Sequence, residues 1–216
     1  MICYLHDQNI DMDEIVKAIT DSIQGLSALE FAGLVFGVIN VLLLIKEDIR
    51  NWAFGILYIL VSFVIFWQSR LYGDFILHVL YLILNIYGWY NWTKPKEDKT
   101  LKVSVQSVQY RLIWIGITAV GVILFAQFLL VLPSIFPNLD PPSLPYWDST
   151  TTMLSVTAMW LTARKKLESW MYWFVVDILA TGIYFYKGLY FYSLLYFIYI
   201  AFAVMGYRAW LKSYRS

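Results

Sequence analysis

Asp177 lies two turns into an apolar run, with Trp173 and Trp170 before it and Thr181 and Tyr184 after it, at spacings of three and four that share one helical face. A carboxylate inside a lipid-spanning helix costs at least about 2.5 kcal/mol on insertion scales, so it turns toward a bundle interior and marks a functional site. A second face carries Asp74, His78, Tyr81, Asn85, Gly88 and Trp92, and a third Glu30, Gly33, Gly37, Asn40 and Leu44. Tryptophan and tyrosine around one acid suit a flat cation, through cation-π attraction and charge pairing, although a sugar also stacks on tryptophan. The Lys and Arg residues fall at the ends of apolar runs or between them, so no fixed cation waits for a phosphate and a neutral or cationic ligand fits better. For Gly33, Gly37, Gly88 and Gly206 the plainer reading is helix packing.

Other chemistries find no support. Asp74 and His78 stand at i, i+4 but lack a third metal ligand at useful spacing, so a hydrogen-bonded pair near the membrane surface is expected. Cys3 is alone, and of the two histidines His6 lies in the N-terminal tail, which leaves no nucleophile, base and orienter together. No enzyme activity, metal, cofactor or nucleic-acid partner is expected.

The elements that position these faces follow from composition. With 60% apolar and 14% charged residues and a mean hydropathy of +0.62, the chain is an all-α membrane protein without strands. No basic region followed by an apolar one opens it, so no cleavable signal peptide is expected. A stretch from Asn51 to Trp92 returns, diverged, from Ser169 to Trp210. Trp52 aligns with Trp170, Leu71 with Leu189, Tyr72 with Tyr190, Tyr81 with Tyr199, Gly88 with Gly206 and Trp92 with Trp210, all at an offset of 118. The offset also joins the runs around Leu43 and Leu161. The polar positions break it, since Asp177 pairs with Ile59 and Asn85 with Ala203, which suggests one asymmetric ligand rather than two equivalent sites.

Seven transmembrane helices are predicted, at about 26–45, 52–67, 73–92, 110–136, 149–163, 170–186 and 189–211. Three-helix repeats need a spacer helix to keep the same orientation, which gives 3+1+3 parallel repeats, as in SWEET transporters. The segments are then 1–25, a tail or interfacial amphipathic helix with Asp7, Asp11, Asp13, Glu14 and Asp21; 26–92, the first repeat; 93–148, an exposed loop from Thr93 to Gln109 and the linker helix, which a cluster of Pro133, Pro137, Pro141, Pro142 and Pro145 ends in an irregular loop; and 149–216, the second repeat and tail. The N-terminal side holds Lys17, Arg70 and Lys187, and the other side the remaining thirteen basic residues, so the N-terminus is expected outside and the C-terminus in the cytoplasm.

Leu71-Tyr72-Gly73-Asp74 with Tyr87-Gly88-Trp89-Tyr90-Asn91-Trp92, and Ala163-Arg164-Lys165-Lys166-Leu167-Glu168-Ser169-Trp170 with Trp173 and Asp177, resemble the PnuC nicotinamide riboside transporters. Lys187-Gly188-Leu189-Tyr190 and Gly206-Tyr207-Arg208-Ala209-Trp210 match as well, so the resemblance covers about 40–210. It implies a SWEET-like fold, a possible homotrimer, and uptake of unphosphorylated nicotinamide riboside across a bacterial inner membrane by facilitated diffusion, with trapping by a cytoplasmic kinase. Trp173 and Trp170 would stack on the pyridinium, Asp177 would balance its charge or bond the ribose, and Asn85 and Asn40 would serve the carboxamide and hydroxyls. Tyr81 and Tyr199 would close the walls. Met159 departs from the glutamine of many relatives. A sugar carrier, a thiamine or riboflavin transporter, and a receptor or scaffold without transport are the alternatives.

Overall fold

The computed structural model describes residues 12–68, 72–94, 101–136 and 144–216. Asp7, Asp11, Arg70, Leu71, Pro137, Pro141 and Pro142, and the side chain of Asp74, lie outside what is described. Eight helices and no strand occur among these residues: α1 Met12–Gln24, α2 Ala28–Ile45, α3 Arg50–Gln68, α4 Tyr72–Thr93, α5 Val108–Ile135, α6 Pro145–Ala163, α7 Ser169–Tyr186 and α8 Tyr190–Arg215. Four of them, α2, α3, α5 and α8, are long and apolar enough to cross a membrane. Helix α6 falls short because it is rich in Ser and Thr, of which Ser149, Ser155, Thr157 and Thr162 are buried. The outer surface is apolar instead, with Ile113, Ile117, Val120 and Leu124 of α5 exposed as a lipid-facing helix requires. This is a membrane protein.

Backbone packing orders the helices as a ring. Helix α2 packs on α3, α3 on α4, α4 on α6, α6 on α7, α7 on α8, and α8 returns to α2. Helices α3 and α7 face each other across it without backbone contact, while α5 packs on the outside of α6 and α1 on α8. Buried hydroxyls of Thr118 and Thr157, 2.8 Å apart, join α5 to α6.

At the end of the ring that carries most basic residues, contacts recur at the 118-residue offset. Helix α2 ends in a turn in which the amides of Glu47 and Asp48 donate to Leu44 and Leu43; α6 ends in the same turn, with Lys165 and Lys166 donating to Thr162 and Leu161. Glu47 and Lys165 both adopt a left-handed conformation, φ 55° and 49°, which costs a side-chain-bearing residue energy and reverses the chain after each helix. The indole of Trp92 donates to the carbonyl of Thr162 at 3.3 Å, and that of Trp210 to the carbonyl of Leu44 at 3.0 Å. Each half therefore caps the other's helix end. Trp52 lies against Gly88 and Trp170 against Gly206, so closely that a Cβ on either glycine would overlap the indole. Trp52 meets Trp92 edge-on at 5.3 Å, Trp170 meets Trp210 edge-on at 5.5 Å, and Trp92 meets Trp210 at 6.0 Å.

Two expectations are corrected here. The stretch after Thr93 was expected as an exposed loop to Gln109, yet its Leu101–Ser107 part is packed: Val103 is 6% exposed within the core. The amide of Ser104 donates to Lys165, that of Leu167 to Ser104, and that of Gln106 to the Glu168 carboxylate. Lysines suggested solvent, but the alternate Leu101, Val103 and Val105 follow the two-residue period of an extended segment with one buried face. Pro145, expected in an irregular loop, is the first residue of α6, where its missing N–H costs nothing.

The tight indole-on-glycine contact is open to test. Gly206→Ala should lower the melting temperature, as overpacking by about 1 to 3 kcal/mol does. Gly182→Ala, where the space is open, should leave it unchanged or raised, since alanine favours a helix by about 0.5 to 1 kcal/mol. Thermal unfolding of both purified variants in one detergent makes the comparison.

Candidate functional site

The ring interior has two unlike walls. On α3, Gly55 carries no side chain, and there the carboxamides of Asn40 and Asn85 converge. Asn40 Nδ2 donates to the Asn51 carbonyl at 2.6 Å, and Asn85 Nδ2 to the Tyr81 carbonyl at 3.1 Å. Asn85 is only 2% exposed, and its Oδ1 is buried without a donor. A buried acceptor left open costs about 1 to 3 kcal/mol, which a ligand donor would recover.

The facing wall is aromatic and acidic. Asp177 on α7 is 5% exposed, and no described side chain bonds its carboxylate. It lies within electrostatic range of the Tyr196 and Tyr199 hydroxyls on α8. The Tyr199 hydroxyl and the Tyr58 ring both reach the Gly37 position, 3.4 and 3.6 Å from where a Cβ would stand, so α2, α3 and α8 meet there. Trp173, half-buried, donates from Nε1 to Thr162 Oγ1 at 3.2 Å, which fixes the plane of its indole.

The expected site residues thus fall into groups. Asn40 and Asn85 stand together at Gly55, Tyr199 reaches the Gly37 position beside Tyr58, and Trp173 is oriented by Thr162. Trp170 is placed differently: at 2% exposure it belongs to the core cluster with Trp52, Trp92 and Trp210, wedged over Gly206. Tyr81 lies beside His78, whose ring is enclosed by Phe66 at 4.7 Å, Tyr81 at 5.4 Å and Tyr58 at 6.1 Å. Glu30, read on an inward face, instead closes a capping box with Ser27 at the start of α2. The S-x-x-E spacing carried that signal. Sequence reasoning missed Gly55, Tyr58, Thr162 and Tyr196. Only Tyr196, three residues before Tyr199, had a periodicity to show it. Met159 packs against the core cluster.

The basic end of the ring is held by charge as well as by tryptophan. Lys165 Nζ bonds Glu47 Oε2 at 2.9 Å and stands 4.4 Å over the Trp92 ring. Arg111 bonds Glu168 at 2.9 Å. Hydrogen bonds from Arg50 to Asp48 hold that carboxyl at about 2, below the usual carboxylate range. Among the described residues, no three His, Cys, Asp or Glu side chains gather as a metal site would need.

Residues 27–212 match a family model described as nicotinamide mononucleotide transporter. The chain belongs to this family. It is similar to the nicotinamide riboside transporter PnuC of Escherichia coli K12, 31% identical with 88% of this chain and 87% of that protein covered. The PnuC of Neisseria mucosa is 27% identical, over 82% and 70% of the two chains. The riboflavin/roseoflavin transporter RibM of Streptomyces davaonensis is 29% identical, over 84% and 83%. A crystal structure of the vitamin B3 transporter PnuC has the same fold, with a TM-score of 0.70 at 23% identity over 97% of this chain and 93% of that one.

The Glu47 and Lys165 pair is largely shielded from solvent, so removing one partner should cost more than removing both. Lys165→Met should lower the melting temperature more than Lys165→Met combined with Glu47→Gln. The measurement is thermal unfolding of the two variants beside the unaltered protein.

Proposed function

We propose that this chain is an inner-membrane carrier that takes up nicotinamide riboside by facilitated diffusion, the substrate being trapped by a cytoplasmic kinase. The observation that carries the reading is Asp177: a buried carboxylate near the Tyr196 and Tyr199 hydroxyls, with no cation among the described residues bonded to it. A ligand bearing its own delocalised positive charge supplies the missing partner. Nicotinamide riboside is such a cation, and its carboxamide and ribose offer N–H and O–H groups to the open Asn85 oxygen. Trp173 stacks on the pyridinium, Tyr199 and Tyr81 form the walls, Asn40 supports the amide wall, and Trp170 backs the site from the core.

Seven spans in a 3+1+3 arrangement fit the ring, with α2 to α4 and α6 to α8 as the parallel three-helix units, α5 as the linker and α1 outside them. In this arrangement, assembled as a homotrimer as the family resemblance implies, the N-terminus is outside and the basic end faces the cytoplasm. Rocking of one unit against the other opens that end by parting the two indole-carbonyl bonds and the Glu47 and Lys165 pair. The likeness to RibM favours riboflavin as the second reading. A neutral flavin, however, would leave Asp177 without a counter-charge.

The family's description and its relatives' names point to different substrates, mononucleotide and riboside, and the electrostatics favour the riboside. In the described spans, Lys and Arg stand only at helix ends, so a phosphate of about −1.5 to −2 charge would pass Asp177 unpartnered. In competition titrations on purified protein, the riboside should bind far more tightly than the mononucleotide, and Asp177→Asn should narrow that gap by weakening the riboside more. Trp173→Ala should cost the riboside about 1 to 3 kcal/mol, roughly ten- to a hundredfold, while Trp89→Ala, on an exposed position, binds normally. Comparable affinities for the two ligands, or equal losses at both tryptophans, would overturn the reading.

Orientation has its own test. A reporter active only in the cytoplasm should work when fused after Ser216 and fail when fused before Met1; the reverse would invert the topology.

A further inference from the structure

Gly55 is where the two halves of the chain differ most in volume. Its counterpart 118 residues on is Trp173, and the counterparts of Asn40 and Asn85 are Ala158 and Ala203. In one frame an absent side chain lies between two carboxamides; the matching positions of the other carry an indole and two buried alanines. The exchange is forced by space. A Cβ on Gly55 would fall inside van der Waals contact with Asn85 Oδ1, 3.3 Å from Asn85 Cγ and 3.0 Å from Asn40 Nδ2. Neither amide retreats freely, since Asn40 is tied to the Asn51 carbonyl and Asn85 to the Tyr81 carbonyl. The oxygen that the Cβ would displace is the one left buried without a donor.

We infer that Gly55 is a positioning residue for ligand recognition: its missing side chain lets two tethered carboxamides stand against α3 and keeps the Asn85 oxygen aimed at an N–H or O–H donor of the substrate. The inference rests on Asn85 being a ligand contact, as proposed above. Gly55 acts through Asn85, so the two substitutions are not independent.

Nicotinamide riboside is titrated into the purified full chain as wild type, Gly55→Ala, Asn85→Ala and the double variant, with the unliganded melting temperature of each recorded. Gly55→Ala should weaken binding at least tenfold, Asn85→Ala comparably, and the double variant no further than Asn85→Ala alone. A role in packing only would instead lower the melting temperature and leave affinity unchanged. If Gly55→Ala yields no folded protein, Asn85→Ala and the double variant still decide, because the nearer obstruction, the Asn85 carboxamide, is gone from both and only the milder contact with Asn40 Nδ2 remains. Equal affinity supports the inference, and a further tenfold loss overturns it. Wild-type affinity in Asn85→Ala removes the site reading beneath it. Reduced affinity there with wild-type affinity in Gly55→Ala overturns the role of Gly55 alone.

Discussion

The rest of the molecule depends on a reciprocal exchange: the last turn of α2 is capped by Trp210, and that of α6 by Trp92. Each accepting carbonyl already takes the amide of its own turn, Leu44 from Glu47 and Thr162 from Lys165, so the indole fills the second lone pair. Each such bond adds about 0.5 to 1.5 kcal/mol net. Their geometric effect exceeds that, because neither half completes its helix end without the other. The glycines under Trp52 and Trp170 bring the helices close enough for the four indoles to interlock, and the extended strap through Val103 packs against the same cluster.

Away from that end the likeness between the halves is given up at several positions, although Leu71 and Leu189, Tyr72 and Tyr190, and Tyr81 and Tyr199 still match. Ile59 and Asp177, Asn85 and Ala203, Gly55 and Trp173 occupy matching positions with unlike chemistry. The indole and glycine contacts fall where the pattern repeats, and the buried Asn85 and Asp177 where it fails.

Much of this was legible in the sequence because lipid solvent leaves few choices. Apolar runs gave the helices to within a few residues, and the offset of 118 found the tryptophans and glycines that pack together. Asp177 and Asn85 were visible as polar residues at apolar positions, and both are buried. What stayed hidden depends on pairing across the ring. Gly55 reads as any helical glycine until Asn40 and Asn85 are seen beside it, and Thr162 gains its role only because Trp173 turns toward it. Trp170 and Trp173 share a helical face, yet the first is buried edge-on against Trp210 and the second is half-buried with its indole bonded to Thr162. Glu30 looked inward by periodicity but was claimed by its own helix start.

The Glu47 and Lys165 contact joins equivalent positions of the two halves. Had two identical halves met there, the same residue would have faced itself, two glutamates or two lysines, and like charges at such range repel. Opposite charges at one equivalent position are possible only when the halves have separate sequences. The separate sequences around Glu47 and Lys165 thus carry a charge pairing at one equivalent position that no symmetric dimer could carry.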